Sequence, residues 1–160
     1  MRFYSFILCV ILMKYISNII YLIDQRNWIE MQKICFQCQE NPVYAYLATL
    51  LLNKAGGNDF RGYCHDITLD TEVSEAIAYS KLIPHQTTPM SLTEQYDFSI
   101  QLCDKQSESC PQNDGSSKQL CWHLDIISLP QNMASWISVI RELSNRIHLF
   151  TLVKSKPGRE

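Results

Sequence analysis

The chain has 160 residues, 46% of them hydrophobic and 19% charged, enough for one domain with a sizeable core. A formal net charge of −2 with no basic stripe argues against a nucleic-acid partner. Seven cysteines are an odd count without the spacing of a secreted disulfide framework, which favours reactive thiols in a reducing, cytoplasmic compartment. Residues 3–23, FYSFILCVILMKYISNIIYLI, are long and apolar enough to raise the question of a membrane span. Lys14 at their centre would cost about 2.5–3.5 kcal/mol there, and no small-x-small cleavage site marks a signal peptide. The preferred reading takes residues 1–30 as a hydrophobic leader outside the folded unit, with a domain over 31–152 and a charged tail over 153–160. A membrane anchor is not expected.

The stretch KICFQCQENPVYAYLATLLL, residues 33–52, predicts a buried strand over 34–37, a tight turn opening at Cys38 and a helix from about Val43 to Asn53. A thiol at the end of a strand with a helix starting beyond it lies where unpaired backbone N–H groups point outward. Such a nest binds anions and lowers a cysteine pKa. Cys38 is therefore the leading candidate nucleophile, against the alternative of a small buried residue. Cys35 reads as core. Leu47, Leu50 and Leu51 give the helix its sheet-facing side, and glycines 56 and 57 end it.

Residues 60–64 predict a second strand, and Asp70 or Thr71 starts a helix to about Lys81 with Val73, Ala76 and Ile77 inward. Residues 85–89 read as loop and 91–95 as one helical turn. Strands follow over 97–102 and 118–122, separated by a polar Ser-, Gln- and Asn-rich stretch expected to be exposed. Asn132 caps a last helix to about Phe150, whose apolar residues Trp136, Ile140, Leu143 and Ile147 keep helical spacing. Strands alternating with helices predict a four-stranded parallel sheet with helices on both faces, and a ligand site at the carboxyl ends of the strands. That rule gathers Cys38, Cys103 and Cys121 at one rim. A zinc site of Cys38, Cys121 and His123 lacks a second Cys-x2-Cys pair, so no metal is expected.

Three motifs resemble the low-molecular-weight protein-tyrosine phosphatases and the thioredoxin-coupled arsenate reductases of the same fold. The family phosphate loop is Cys, five residues, Arg, then Ser or Thr, with Asn three places after the Cys. Here it corresponds to Cys38-Gln39-Glu40-Asn41-Pro42-Val43-Tyr44-Ala45, in which Cys38 and Asn41 match. Residues 96–103, YDFSIQLC, resemble the reductases' third strand with its cysteine, and Cys103-x6-Cys110-Pro111 has the spacing of their second redox pair. LCWHLD, residues 120–125, resembles the stretch before the general-acid loop, with Asp125 as the candidate acid.

The resemblance implies a three-layer sandwich covering about 31–150. It also implies an oxyanion such as arsenate or phosphate held by Gln39, Glu40, Asn41, Val43, Tyr44 and Ala45, and a relay through Cys38, Cys103 and Cys110. A thioredoxin-like thiol would be the reductant, with no cofactor. The chain departs from the pattern at two loop positions, where Tyr44 stands for the Arg and Ala45 for the Ser. A phenol offers one neutral donor in place of a charged fork, and the Glu40 carboxylate repels an oxyanion. These departures argue against phosphatase activity and predict impaired arsenate turnover. The alternative is an inactive relative serving as a binding or vestigial domain.

Overall fold

A computed structural model of the chain describes residues 31–84, 88–91, 93–106, 110, 118–125 and 132–155. The leader expected over 1–30 lies outside the described residues. No helix among the described residues is long and apolar enough to cross a membrane.

The central strand is β1 (Gln32–Gln37), buried at Ile34, Cys35 and Phe36. It pairs in parallel with β2 (Phe60–Cys64) from Gln32↔Phe60 to Cys35↔Tyr63. On its other side it pairs in parallel with β4 (Phe98–Asp104), from Ile34↔Phe98 to Gln37↔Gln101. Next to β4 lies β5 (Lys118–Leu124), parallel along its whole length. The expected all-parallel sheet therefore forms, with one addition. Thr88–Pro89, read from sequence as loop, is a two-residue strand β3 beside β2, so the order is β3-β2-β1-β4-β5. Proline is tolerated at such an edge because its missing N–H is not needed by a further strand.

Helix α1 (Pro42–Ala55) begins where Asn41 caps it, with proline in the first turn. Residues Tyr44 to Leu52 are all buried, because α1 is covered on its outer sides as well as by the sheet. It closes on Gly56, whose N–H bonds the Leu52 carbonyl, and Gly57 follows in the left-handed region at φ 55°. Helix α2 (Thr71–Tyr79) buries Val73, Ala76 and Ile77. Helix α3 (Met133–Lys154) opens on an Asn132–Ser135 capping box and runs one turn beyond the expected end at Phe150. Phe150 stops short of solvent because it meets Phe60, Phe98 and Trp122 at centroid distances of 5.5 to 6.1 Å.

The units β1-α1-β2 and β2-α2-β3 step across the sheet in the same direction. Right-handed crossovers then place α1 and α2 on one face, and α3 packs against both within a single core cluster. Ile34, Phe36, Ile100, Leu102 and Leu124 point into that cluster. The alternate residues Lys33, Cys35, Tyr63, Gln101 and Cys103 face the other way. The described cover on that second face is residues 90–91 and 93–97, where a turn closed by the Glu94 N–H on the Ser91 carbonyl replaces the expected helical turn. From this segment Glu94 pairs with Lys33 at 2.6 Å, Tyr96 meets Tyr63 edge-on at 5.3 Å, and Met90 lies 2.9 Å from Cys35 Sγ.

Candidate active site

A cavity of about 460 Å³ opens at the carboxyl ends of β1, β2 and β4. Its lining includes Phe36, Gln37, Cys38, Gln39, Pro42, Ala45, His65, Met90 and Gln101. Cys38 is brought there as the first residue after β1, and Gln101 by its register opposite Gln37. His65 comes as the first residue after β2 and Met90 as the residue after β3. Another hollow, of about 530 Å³ between the three helices, has no cysteine among the described residues of its lining.

Cys38 is half-buried, and its thiol donates to Glu40 Oε2 at 3.7 Å. The backbone N–H groups of Asn41 and Glu40 do point at its sulfur, as the nest predicts. They do not win. Burial pushes the Cys38 thiol up to about 11, and the Glu40 carboxylate adds to the rise against the two amides. The expected acidified thiolate is thus corrected to a thiol that keeps its proton at neutral pH.

Three further loop positions offer no N–H to an anion. Pro42 has no N–H; the Val43 N–H bonds Asn41 Oδ1 at 3.1 Å, and the Tyr44 N–H bonds the Asn41 carbonyl at 3.2 Å. Asn41, expected to help hold an oxyanion, is the N-cap of α1. Gln39 and Glu40 are exposed, and Ala45 is buried within the first turns of α1.

Tyr44, in the position of the family Arg, is only 1% exposed. Its ring packs on Trp136 at 5.5 Å, and its hydroxyl donates to the Asp125 carbonyl at 3.5 Å. Burial first, then the charges of Cys38, Glu142, Asp104 and Asp125, hold its phenol at about 12. A neutral donor among acidic groups therefore stands where a guanidinium would bind an anion. The nearby cations have acidic partners: Lys105 Nζ bonds Asp125 Oδ2 at 2.8 Å, and Arg146 bonds Glu142 at 3.0 Å and the His123 carbonyl at 2.7 Å. The Asp125 bond raises the Lys105 pKa. Arg61 is exposed in register with Lys33, at the end of the sheet away from Cys38.

Cys103, fully buried, is joined to Cys110 by a disulfide with Cα atoms 5.9 Å apart. Pairing of β1 with β4 ends at Gln37↔Gln101, so Cys38 and Cys103 lie one and two residues past that point on adjacent strands. Cys103 is not among the lining residues of the Cys38 cavity. Cys35, read as core, is buried as expected, on the side of the sheet turned away from the helices. There it donates to Met90 Sδ, and burial raises it to about 11. Gln37, Gln101 and Met90 were not singled out from sequence. His65 reads from sequence as strand end and loop, not ligand, although it follows a strand as Cys38 does.

No protein-family model matches the chain, and no curated protein matches it. Solved structures do. A thioredoxin-dependent arsenate reductase of Corynebacterium glutamicum is 17% identical with a TM-score of 0.56, over 81% of this chain and 65% of that one. The chain thus spans about two thirds of the length of the Corynebacterium protein. The arsenate reductase of Archaeoglobus fulgidus is 17% identical with a TM-score of 0.58, over 74% of this chain and 98% of that one. An arsenate reductase solved in its reduced state is 14% identical with a TM-score of 0.59, over 78% of this chain and all of that one (100%). These likenesses are of fold, and the parallel sheet with its cysteines at the carboxyl rim has the arsenate-reductase, low-molecular-weight phosphatase-like architecture.

Proposed function

We propose that the chain is a thiol–disulfide redox protein of the arsenate-reductase type, with Cys38, Cys103 and Cys110 as its relay and oxyanion turnover impaired. The observation that carries this reading is the Cys103–Cys110 disulfide at the end of the strand next to Cys38. In the relay, Cys38 releases its proton to solvent and its sulfur bonds arsenic(V), with water as the leaving group. Asp125, which must first leave its ion pair with Lys105 and take up a proton from solvent, supplies the proton to that leaving oxygen. Cys103 then attacks Cys38 Sγ; the sulfur–arsenic electron pair leaves with arsenite, and a Cys38–Cys103 disulfide forms. Attack by Cys110 on Cys103 releases Cys38 and leaves the Cys103–Cys110 bond, which a thioredoxin-like dithiol reduces. Such a cycle fits the reducing environment of the cytoplasm.

The weak step is the first. Cys38 is a thiol held at about 11, and the loop amides and Tyr44 supply little to an oxyanion. The same observation favours a second reading, a non-catalytic domain retaining the fold, and argues against phosphate-ester hydrolysis. The test is NADPH oxidation by the reduced full-length protein with arsenate, thioredoxin and thioredoxin reductase. A slow arsenate-dependent rate, lost in Cys38→Ser, is expected. A rate equal to that of Cys38→Ser would leave only the non-catalytic reading.

A further inference from the structure

Beyond that relay the sheet carries two buried thiols, Cys35 and Cys64, and an exposed one. Cys121, on β5, is the exposed free cysteine among the described residues. The β4–β5 register sets Gln101 opposite Cys121 and Cys103 opposite His123. Leu102, between Gln101 and Cys103, belongs to the helix-side core, and Trp122, between Cys121 and His123, packs against it. Strand alternation then puts Cys121, His123, Gln101 and Cys103 together on the other face. Because Cys110 is bonded to Cys103, its sulfur lies over that face too. A free thiol and a disulfide share one patch of sheet.

Strand geometry decides which sulfur Cys121 can reach. Cys103 and Cys121 are diagonal neighbours on adjacent strands, which places their Cα atoms roughly 8 Å apart. A disulfide needs Cα atoms within about 7 Å, and the ladder bonds hold both residues in place. Cys110 differs. It belongs to the β4–β5 connection, outside the ladder, so strand pairing does not fix its backbone.

We propose that Cys121 is an exchange cysteine that takes over the disulfide by attacking Cys110 Sγ. Cys121 releases its proton to solvent and its sulfur bonds Cys110. The Cys103–Cys110 bond breaks, its electron pair goes to Cys103 Sγ, and Cys103 takes up a proton. No oxidant or reductant is consumed, since one disulfide becomes another. The exchange moves the oxidised pair from one with a fully buried sulfur to one that includes an exposed strand residue, where a dithiol reductant has access. It also returns Cys103 to the thiol form at the strand end next to Cys38. The benefit to turnover rests on the relay reading, but the exchange itself needs only these three sulfurs.

The test is non-reducing peptide mapping of the full-length protein, equilibrated at mildly alkaline pH, quenched in acid and alkylated. Wild type should yield both Cys103–Cys110 and Cys110–Cys121 pairs. Cys121→Ser should lose the second and keep the first, while Cys103→Ser, oxidised with diamide, should collect Cys110–Cys121. Should Cys103→Ser not fold, the wild-type and Cys121→Ser maps decide by themselves. Cys121 fully alkylated beside an unshared Cys103–Cys110 bridge in wild type would overturn the proposal. So would Cys121 bridging two chains on a non-reducing gel. No arsenate is present, so failed exchange and failed reductase activity are read separately.

Discussion

At Cys38 two opposing local effects meet, and magnitude decides between them. Backbone amides stabilise the thiolate, but burial and the Glu40 carboxylate outweigh them and hold the thiol at about 11. Removing the carboxylate charge while keeping the side chain's shape isolates one contribution. Glu40→Gln should therefore lower the Cys38 pKa, though not to that of a free thiol, because burial is the larger cause. The pH profile of iodoacetamide alkylation, read on the Cys38 peptide, checks this; an unchanged or higher midpoint would contradict it. The position of Cys38 after a strand and before a helix is local and was legible in the sequence. Its suppression was not, because His65, Met90 and Gln101 reach the same cavity from distant parts of the chain. Tyr44 behaves similarly: its departure from the family Arg is visible in sequence, whereas its inward packing on Trp136 depends on α3.

Among the elements, α1 and β2 approach closely at Gly62. A Cβ built on Gly62 would lie 3.2 Å from Thr49 Cγ2 and 3.3 Å from both Asn53 Oδ1 and the Thr49 Cα. The Gly62 N–H also bonds Asn53 Oδ1 at 2.7 Å, so the helix cannot retreat without losing that bond. Gly62→Ala should destabilise by about 1–3 kcal/mol through overpacking, read as a lower urea midpoint with an unchanged slope. Asn132→Ala removes the acceptor for the Ser135 N–H at 2.9 Å and half of the capping box. It should cost about 1 kcal/mol in the same measurement. The long elements were legible to within a turn because their periodicity and caps are local. Strand β3 was not, since two residues carry no period and Pro89 argues for a loop. The exposed edge of β2 makes Thr88–Pro89 a strand.

For the whole molecule, the buried thiols link stability to pH. Burial raises both Cys35 and Cys38 from the ordinary 9.0 to about 11. Below pH 9 the folded and unfolded chains both hold these protons, and the stabilisation is fully present. As pH rises from about 9 to about 11 the unfolded chain releases them first, so stability falls over that window. Tyr44, held at about 12, extends the loss upward. The urea midpoint should decline across this range, and Cys35→Ala should flatten the decline. A midpoint that stays level or rises would show that these thiols are not buried as described.

By itself, the amino-acid sequence determined the alternation of strands and helices, the glycine end of α1 and the Asn132 cap of α3, and the placing of Cys38 and Cys103 at strand ends. All of these follow from periodicity, end signals and the right-handedness of parallel crossovers, which act over short stretches of chain. Only the tertiary structure decided that Asn41 caps a helix instead of lining an anion site, that Cys38 keeps its proton, and that Cys121 shares a sheet face with the Cys103–Cys110 bridge. Desolvation and cross-strand register are set by residues far apart in the chain. They acquire values only when the sheet is assembled.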